Sequence, residues 1–263
     1  MEFYSSADQR ADYQGMLDNI EEQPDEDSST LRLARHIADI EPVSVLEIGC
    51  GDGRLFRTLR RQGYEGEYAG VEVAEYIIER NRERHPNTTW YTAGAYNLPV
   101  QSETIEMVCA EFVLEHLVYP AEALKEMMRV LRPGGALVLI FPDFVCAGRM
   151  ASQMLGLAPG STALNRLRQG RPIDAVVSLY DSRMRLSSAL KQARKNYGPF
   201  PINLRPKCLT YPQIVSPDVD AVYIASKKEV ADWARDRGYT VEFPWGTETR
   251  PFYETAHLAI LKE

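Results

Sequence analysis

Two carboxylates and three glycines carry the first chemical signal in this chain. In Val45-Leu46-Glu47-Ile48-Gly49-Cys50-Gly51-Asp52-Gly53-Arg54-Leu55, an apolar run ends on glycines at every second position. Such glycines let the backbone turn sharply and let a ligand approach main-chain N–H groups with no Cβ in the way. The spacing differs from the G-x-G-x-x-G of dinucleotide sites. Glu47, two residues before the first glycine, would repel a pyrophosphate and suit a ligand carrying an ammonium group. About twenty residues on, Tyr68-Ala69-Gly70-Val71-Glu72-Val73 ends in an acid that can accept both hydroxyls of a ribose. Two side chains could move a proton. His116 follows the apolar run 105–115, and Asp143 follows Pro142. Each also has a plainer reading, His116 as a structural or helix-capping residue and Asp143 as a turn residue.

These groups need elements to hold them. Leu55, Phe56 and Leu59 fall at helical spacing after the glycines, so 45–59 reads as strand, turn, helix. Strands are expected at 68–73, within 105–116 (a strand and its exit loop) and at 136–141, with a helix from Ala123 stopped by Pro133-Gly134-Gly135. Lys228 to Arg237 reads as a helix ending at Gly238, followed by a hairpin of 240–243 with 255–261. Strands alternating with helices imply an α/β fold, a mostly parallel doubly wound sheet with helices on both faces. A chain of 263 residues suits one such domain.

The ordered motifs resemble those of the class I S-adenosylmethionine-dependent methyltransferases. Glu47 to Gly53 is similar to the family's E/D-x-G-x-G-x-G segment. Ala93-Gly94-Ala95-Tyr96-Asn97-Leu98-Pro99 is similar to its G-D-A-x-x-L-P segment, and Glu126 to Gly135 to its E-x-x-R-V-L-(K/R)-P-G-G segment. The resemblance implies a seven-stranded sheet of order 3-2-1-4-5-7-6, its last strand antiparallel. It implies S-adenosyl-L-methionine as cofactor and S-adenosyl-L-homocysteine as product. Glu72 then becomes the ribose clamp. Glu47, Gly49, Cys50, Gly51, Gly53, Val73, Ala95, Tyr96 and Glu111 complete the cofactor set. Gly94 departs from the pattern, which commonly has an acid near the adenine amino group. Adenine recognition then falls on backbone near Ala95 and on Tyr96. The family tolerates many residue types at Cys50, so its backbone matters more than its thiol.

Between 141 and 226 some eighty residues exceed what the minimal fold needs. Ile173, Val176, Val177, Tyr180, Met184, Leu190 and Ala193 suggest one helix over 173–195, and five prolines between 199 and 217 exclude a helix or central strand there. The organisation expected is an N-terminal segment with an acidic linker (1–28), a cofactor-binding core (29–143), a basic and mainly helical lid (144–217) and a C-terminal completion of the sheet (218–263). From Arg149 to Lys207 eleven Lys or Arg face two acids, a net +9 against −16 for the remainder. Two readings are open, an acidic partner or a solvated basic face. On the first, Arg166, Arg168 and Arg171 would bind a small anionic acceptor, methylated on oxygen or nitrogen, of the glycan, nucleotide-sugar or natural-product kind.

The acidic whole argues against an extended nucleic-acid surface. The four cysteines lack C-x-x-C spacing and the histidines lack metal-ligand spacing, so reduced thiols, a cytoplasmic setting and no metal are expected. No apolar run reaches the length of a membrane span. His36, His85 and His257 are expected to be structural. Two other classes stay open: an aminopropyl-type transferase on the same fold, faintly suggested by Glu111 and Glu115, and a cofactor-binding subunit without transfer activity.

Overall fold

In a computed structural model the structure describes residues 28–147, 163–180, 184, 186–202, 221–245 and 255–263. Helix α1 (Ser29–Ile40) leads to β1 (Ser44–Ile48), α2 (Arg54–Arg61), β2 (Glu67–Glu72), α3 (Glu75–Arg84) and β3 (Thr89–Thr92). Then come β4 (Ile105–Glu111), a 3-10 turn (Leu114–His116), α4 (Pro120–Val130), β5 (Leu131–Pro142) and α5 (Phe144–Ala147). After α6 (Ala163–Arg168), α7 (Pro172–Tyr180) and α8 (Leu186–Tyr197), helix α9 (Lys227–Arg235) precedes β6 (Thr240–Glu242) and β7 (Thr255–Leu261).

The sheet order is β3-β2-β1-β4-β5-β7-β6, as the resemblance implied. Strands β1 to β5 are parallel to their neighbours, and β7 runs antiparallel to both β5 and β6. Apolar side chains fill both faces of the central strands. Leu46, Val108 and Leu139 pack on one face with α4 and α9, whereas Val45, Met107 and Val138 pack on the other with α1 and α2. Continuous burial of β1, β4 and β5 explains why these strands read as apolar runs with no alternation. The ends of β1, β2 and β4 meet on one edge, where the order reverses between β1 and β4 and where a ligand crevice belongs.

In the span expected as a helix over 173–195, helix is described on both sides, as α7 and α8, with Met184 between them also helical and 181–183 and 185 outside the described residues. Its apolar positions drift around the axis: Ala175, Leu190 and Ala193 are buried but Ile173 and Val176 are exposed. One expectation is corrected. The helix before Pro133-Gly134-Gly135 stops at Val130, and those three residues belong to β5. Pro133 disfavours a helical Arg132, and Gly134 at φ 78° donates its N–H to the Lys262 carbonyl at 2.6 Å. Tyr4, Tyr13, Cys208, Asp218, Asp220 and much of the proposed lid lie outside the described residues.

Candidate functional site

The glycine turn is held from the side. Gly49 and Cys50 both donate N–H groups to the Val71 carbonyl, at 2.8 and 3.0 Å, and Gly53 donates to the Cys50 carbonyl at 2.9 Å. Gly51 N–H goes to Glu72 Oε2 at 3.3 Å. The amides expected to meet a ligand are therefore largely engaged with the end of β2. The glycines are needed instead for conformation and closeness: Gly49, Gly51 and Gly53 have φ of 72°, 48° and 79°. A Cβ on Gly49 would stand 2.3 Å from Val113 Cγ2, and one on Gly53 2.9 Å from Trp90 Cη2.

Glu72 is the hub of this edge. Its Oε1 accepts Val73 N–H at 2.8 Å and Ala74 N–H at 3.1 Å, while Oε2 takes Gly51. Burial raises its pKa more than these three donors lower it. A carboxylate has about four acceptor sites, so a lone pair is left for a ligand hydroxyl. Val73 enters the site through its backbone.

Glu47 is buried and accepts the Tyr68 hydroxyl. Desolvation pushes its carboxyl well above the usual range, and the neighbouring Glu111, Asp52 and Glu72 push it further. Glu111 is raised by burial as well, against the hydroxyls of Ser29 and Thr30 and the charge of Arg54. The Thr30 hydroxyl lies 3.1 and 3.0 Å from its two oxygens, which ties the first turn of α1 to the end of β4. Buried Glu47 and Glu72 and partly buried Glu111 thus stand at the ends of β1, β2 and β4, and the charges of the other two add to the cost of ionising Glu47. A cation bound among them would offset it. Cys50 is buried and its thiol is raised well above its ordinary pKa by burial and by Glu47 and Glu72, opposite to what a nucleophile needs.

Tyr96 is partly buried, its hydroxyl accepting N–H groups of Val118 and Tyr119 at 3.1 and 3.2 Å. Ala95 is buried beside it. His116 ends the 3-10 turn, with its side chain 21% exposed and Nε2 3.9 Å from Glu115 Oε1. Asp143 is 2% exposed and its Oδ1 accepts Cys146 N–H at 3.0 Å, the geometry of a cap on α5. Tyr223 links these two places: its N–H donates to the Glu115 carbonyl at 2.8 Å, and its buried hydroxyl feels the Asp143 charge.

Arg166, Arg168 and Arg171 are not brought together as one lining. Arg166 is buried; Arg168 is exposed, and exposed Arg171 pairs with Asp174 at 2.6 Å. Among the described residues no cluster of three His, Cys, Asp or Glu could hold a metal, and no helix is long and apolar enough to cross a membrane.

Sequence reading missed Thr30, Asn81 and Trp90. Fully buried Asn81 donates Nδ2–H to the Gly51 carbonyl at 2.8 Å, bracing the turn from α3. Its signal was a polar residue on the helix face of Ile77 and Ile78. Trp90 packs under Gly53 and Gly70 and against Phe56 and Tyr68.

Residues 46–139 match a family model described as "Methyltransferase domain". A Roseobacter denitrificans protein named ubiquinone/menaquinone biosynthesis C-methyltransferase is 32% identical over 103 residues, 36% of this chain and 41% of that protein. An uncharacterized 37.1 kDa transposon protein of Streptomyces fradiae is 34% identical over 105 residues, 38% of this chain and 30% of that protein. The chain spans less than half the length of these relatives. Among solved structures, the CurJ carbon methyltransferase superposes with a TM-score of 0.52 at 14% identity, covering 89% of this chain and 54% of that one. That likeness is one of fold.

Proposed function

For a chain whose residues 46–139 match a methyltransferase-domain model and whose sheet has the order β3-β2-β1-β4-β5-β7-β6, we propose an enzyme that transfers a methyl group from S-adenosylmethionine to a small acceptor. The observation that carries this reading is the edge formed by Glu47, Glu72 and Glu111 around a left-handed glycine turn. Glu72 offers a carboxylate for ribose hydroxyls, and the acidic surroundings suit a ligand with two cationic centres. Ala95 and Tyr96 supply the wall for adenine. When bound, the cofactor supplies an electrophilic methyl carbon on its sulfonium. The chain's own task is then to align an acceptor lone pair and exclude water, which in favourable models is worth up to roughly 7–11 kcal/mol.

An oxygen or nitrogen acceptor that must lose a proton needs a base within reach. His116 is the better placed of the two candidates, because Asp143 is buried and already caps α5. A small anionic acceptor is favoured by the +9 of 149–207 against the acidic core, with Arg166, the one of the three arginines that is buried, as its contact. Arg166→Gln should raise the acceptor's KM. The setting proposed is cytoplasmic.

Calorimetry with S-adenosylmethionine tests the cofactor. Glu72→Gln should weaken binding by about 10- to 100-fold, because an amide cannot accept at both former oxygens and at least one N–H among Gly51, Val73 and Ala74 loses its acceptor. Wild-type affinity in this variant would remove Glu72 from the site, and no binding by the native chain would sink the cofactor. With labelled cofactor and a panel of anionic metabolites, His116→Ala should lose turnover and keep cofactor affinity. Turnover lost instead in Asp143→Asn, a variant that retains the capping oxygen, would assign the base to Asp143.

A further inference from the structure

Helices α6 and α7 pack on each other as a hairpin whose polarity is inverted. Leu164 and Leu167, one turn apart on α6, are each about half exposed. On α7, Ile173 is 78% exposed and Val176 66%, with Leu179 and Tyr180 continuing the row a turn later. Meanwhile Arg166 is 3% exposed and Ala175 1%. A helix packed on a water-facing domain turns its large apolar residues inward and its charges outward. Here a charge and a small residue are buried, and an apolar row is left exposed. Rows of this size mark a docking surface.

The charge around the row says what covers it. Arg168 and Arg171 flank it, and exposed Lys191 and Lys195 follow on α8. The segment 149–207 carries +9 and the rest of the chain −16. We infer that the α6–α7 hairpin lies on an anionic lipid bilayer, apolar row in the acyl boundary and basic rim at the phosphates. A second copy meeting the row about a two-fold axis would set +9 against +9, which Coulomb repulsion disfavours. An anionic bilayer complements row and rim together, and an exposed apolar row needs no shaped groove in a fluid surface. The −16 remainder is repelled by the same surface, so the hairpin is turned toward the lipid and the acidic body away. This inference does not depend on the transfer reaction.

Flotation of the full chain with phosphatidylcholine vesicles, with and without phosphatidylglycerol, tests it. Binding is expected only with phosphatidylglycerol and should weaken with added salt. The double variant Ile173→Ser, Val176→Ser should bind about tenfold less, with an unchanged melting temperature showing that it folds. Absence of binding, equal binding to neutral vesicles, or binding that the double variant leaves intact would each overturn the assignment. A concentration-dependent dimer in light scattering, abolished by the variant with no vesicle binding, would hand the row to a second copy and overturn it too.

Discussion

Gly49→Ala should lower stability by about 2–5 kcal/mol, the sum of left-handed backbone strain and overpacking. Gly49 sits at φ 72°, and a Cβ there would be 2.3 Å from Val113 Cγ2. Neither element can yield easily, because Gly49 and Cys50 are bonded to Val71 on one side and Val113 follows β4 on the other. Gly63→Ala is the natural comparison: its φ is 85°, but nothing lies within 4 Å of an added Cβ. It should cost only the backbone part, about 1–2 kcal/mol. Adding Val113→Ala to Gly49→Ala should recover part of the difference, a coupling of about 1–3 kcal/mol in a double-mutant cycle read by denaturant unfolding. Strict additivity, or equal losses at Gly49 and Gly63, would refute the steric account. Cofactor affinity should fall with Gly49→Ala and stay with Gly63→Ala.

The second large effect is at His257, far from any motif. It is 4% exposed, and neither ring nitrogen is hydrogen-bonded among the described residues. It lies 3.9 Å from the Trp245 ring centroid and meets His36 edge-on at 5.2 Å. Burial, then the neighbouring His36, pulls its pKa from 6.5 down to about 3. The neutral ring is therefore favoured by folding. Its contribution is whole above the unfolded pKa near 6.5 and is lost as pH falls toward the folded value near 3. The loss approaches 1.4 kcal/mol per pH unit, or about 2–3 kcal/mol from pH 6 to pH 4. Glu47, Glu72 and Glu111 act in the opposite sense: their raised pKa values favour the protonated form, so their contribution is present at low pH and lost as pH rises. The measurement must therefore be a difference between proteins. His257→Leu, similar in volume and not titratable, should match or exceed the native stability at pH 7 and show a shallower fall between pH 6 and pH 4. Parallel stability–pH curves for the two proteins would show that His257 does not titrate as described.

Much of the frame was legible because its causes are local. The strand at Thr255–Leu261 was visible and its structural bounds agree; the run from Ile105 was visible too, and its strand ends at Glu111. The exposure of α7 and α8 was not. Helical spacing persists from 173 to 193, yet Ile173 and Val176 are exposed while Ala175, Leu190 and Ala193 are buried, which only the packed structure decides. Pro133-Gly134-Gly135 looked like a stop after a helix, yet Gly134 bonds to Lys262 across more than a hundred residues and so belongs to the sheet. Asn81 and Thr30 brace the candidate site from helices whose sequences carry no motif. The pair His36 and His257 is invisible in any window of the chain.

What the sequence by itself determined is the turn: three glycines at alternate positions after an apolar run demand left-handed backbone, since a Cβ there meets its own chain. The same local sterics, with the order of the apolar runs, specify strands, helices and the edge where a ligand belongs. Only the tertiary structure decided how that edge is used. It assigned the Gly49, Cys50 and Gly51 amides to Val71 and Glu72, brought Glu47, Glu72 and Glu111 to the same end of adjacent strands, and buried Arg166 while exposing Ile173. The reason is physical. Backbone sterics act between neighbours in the chain, whereas burial and hydrogen-bond satisfaction are settled collectively, by residues that meet only when the sheet is complete.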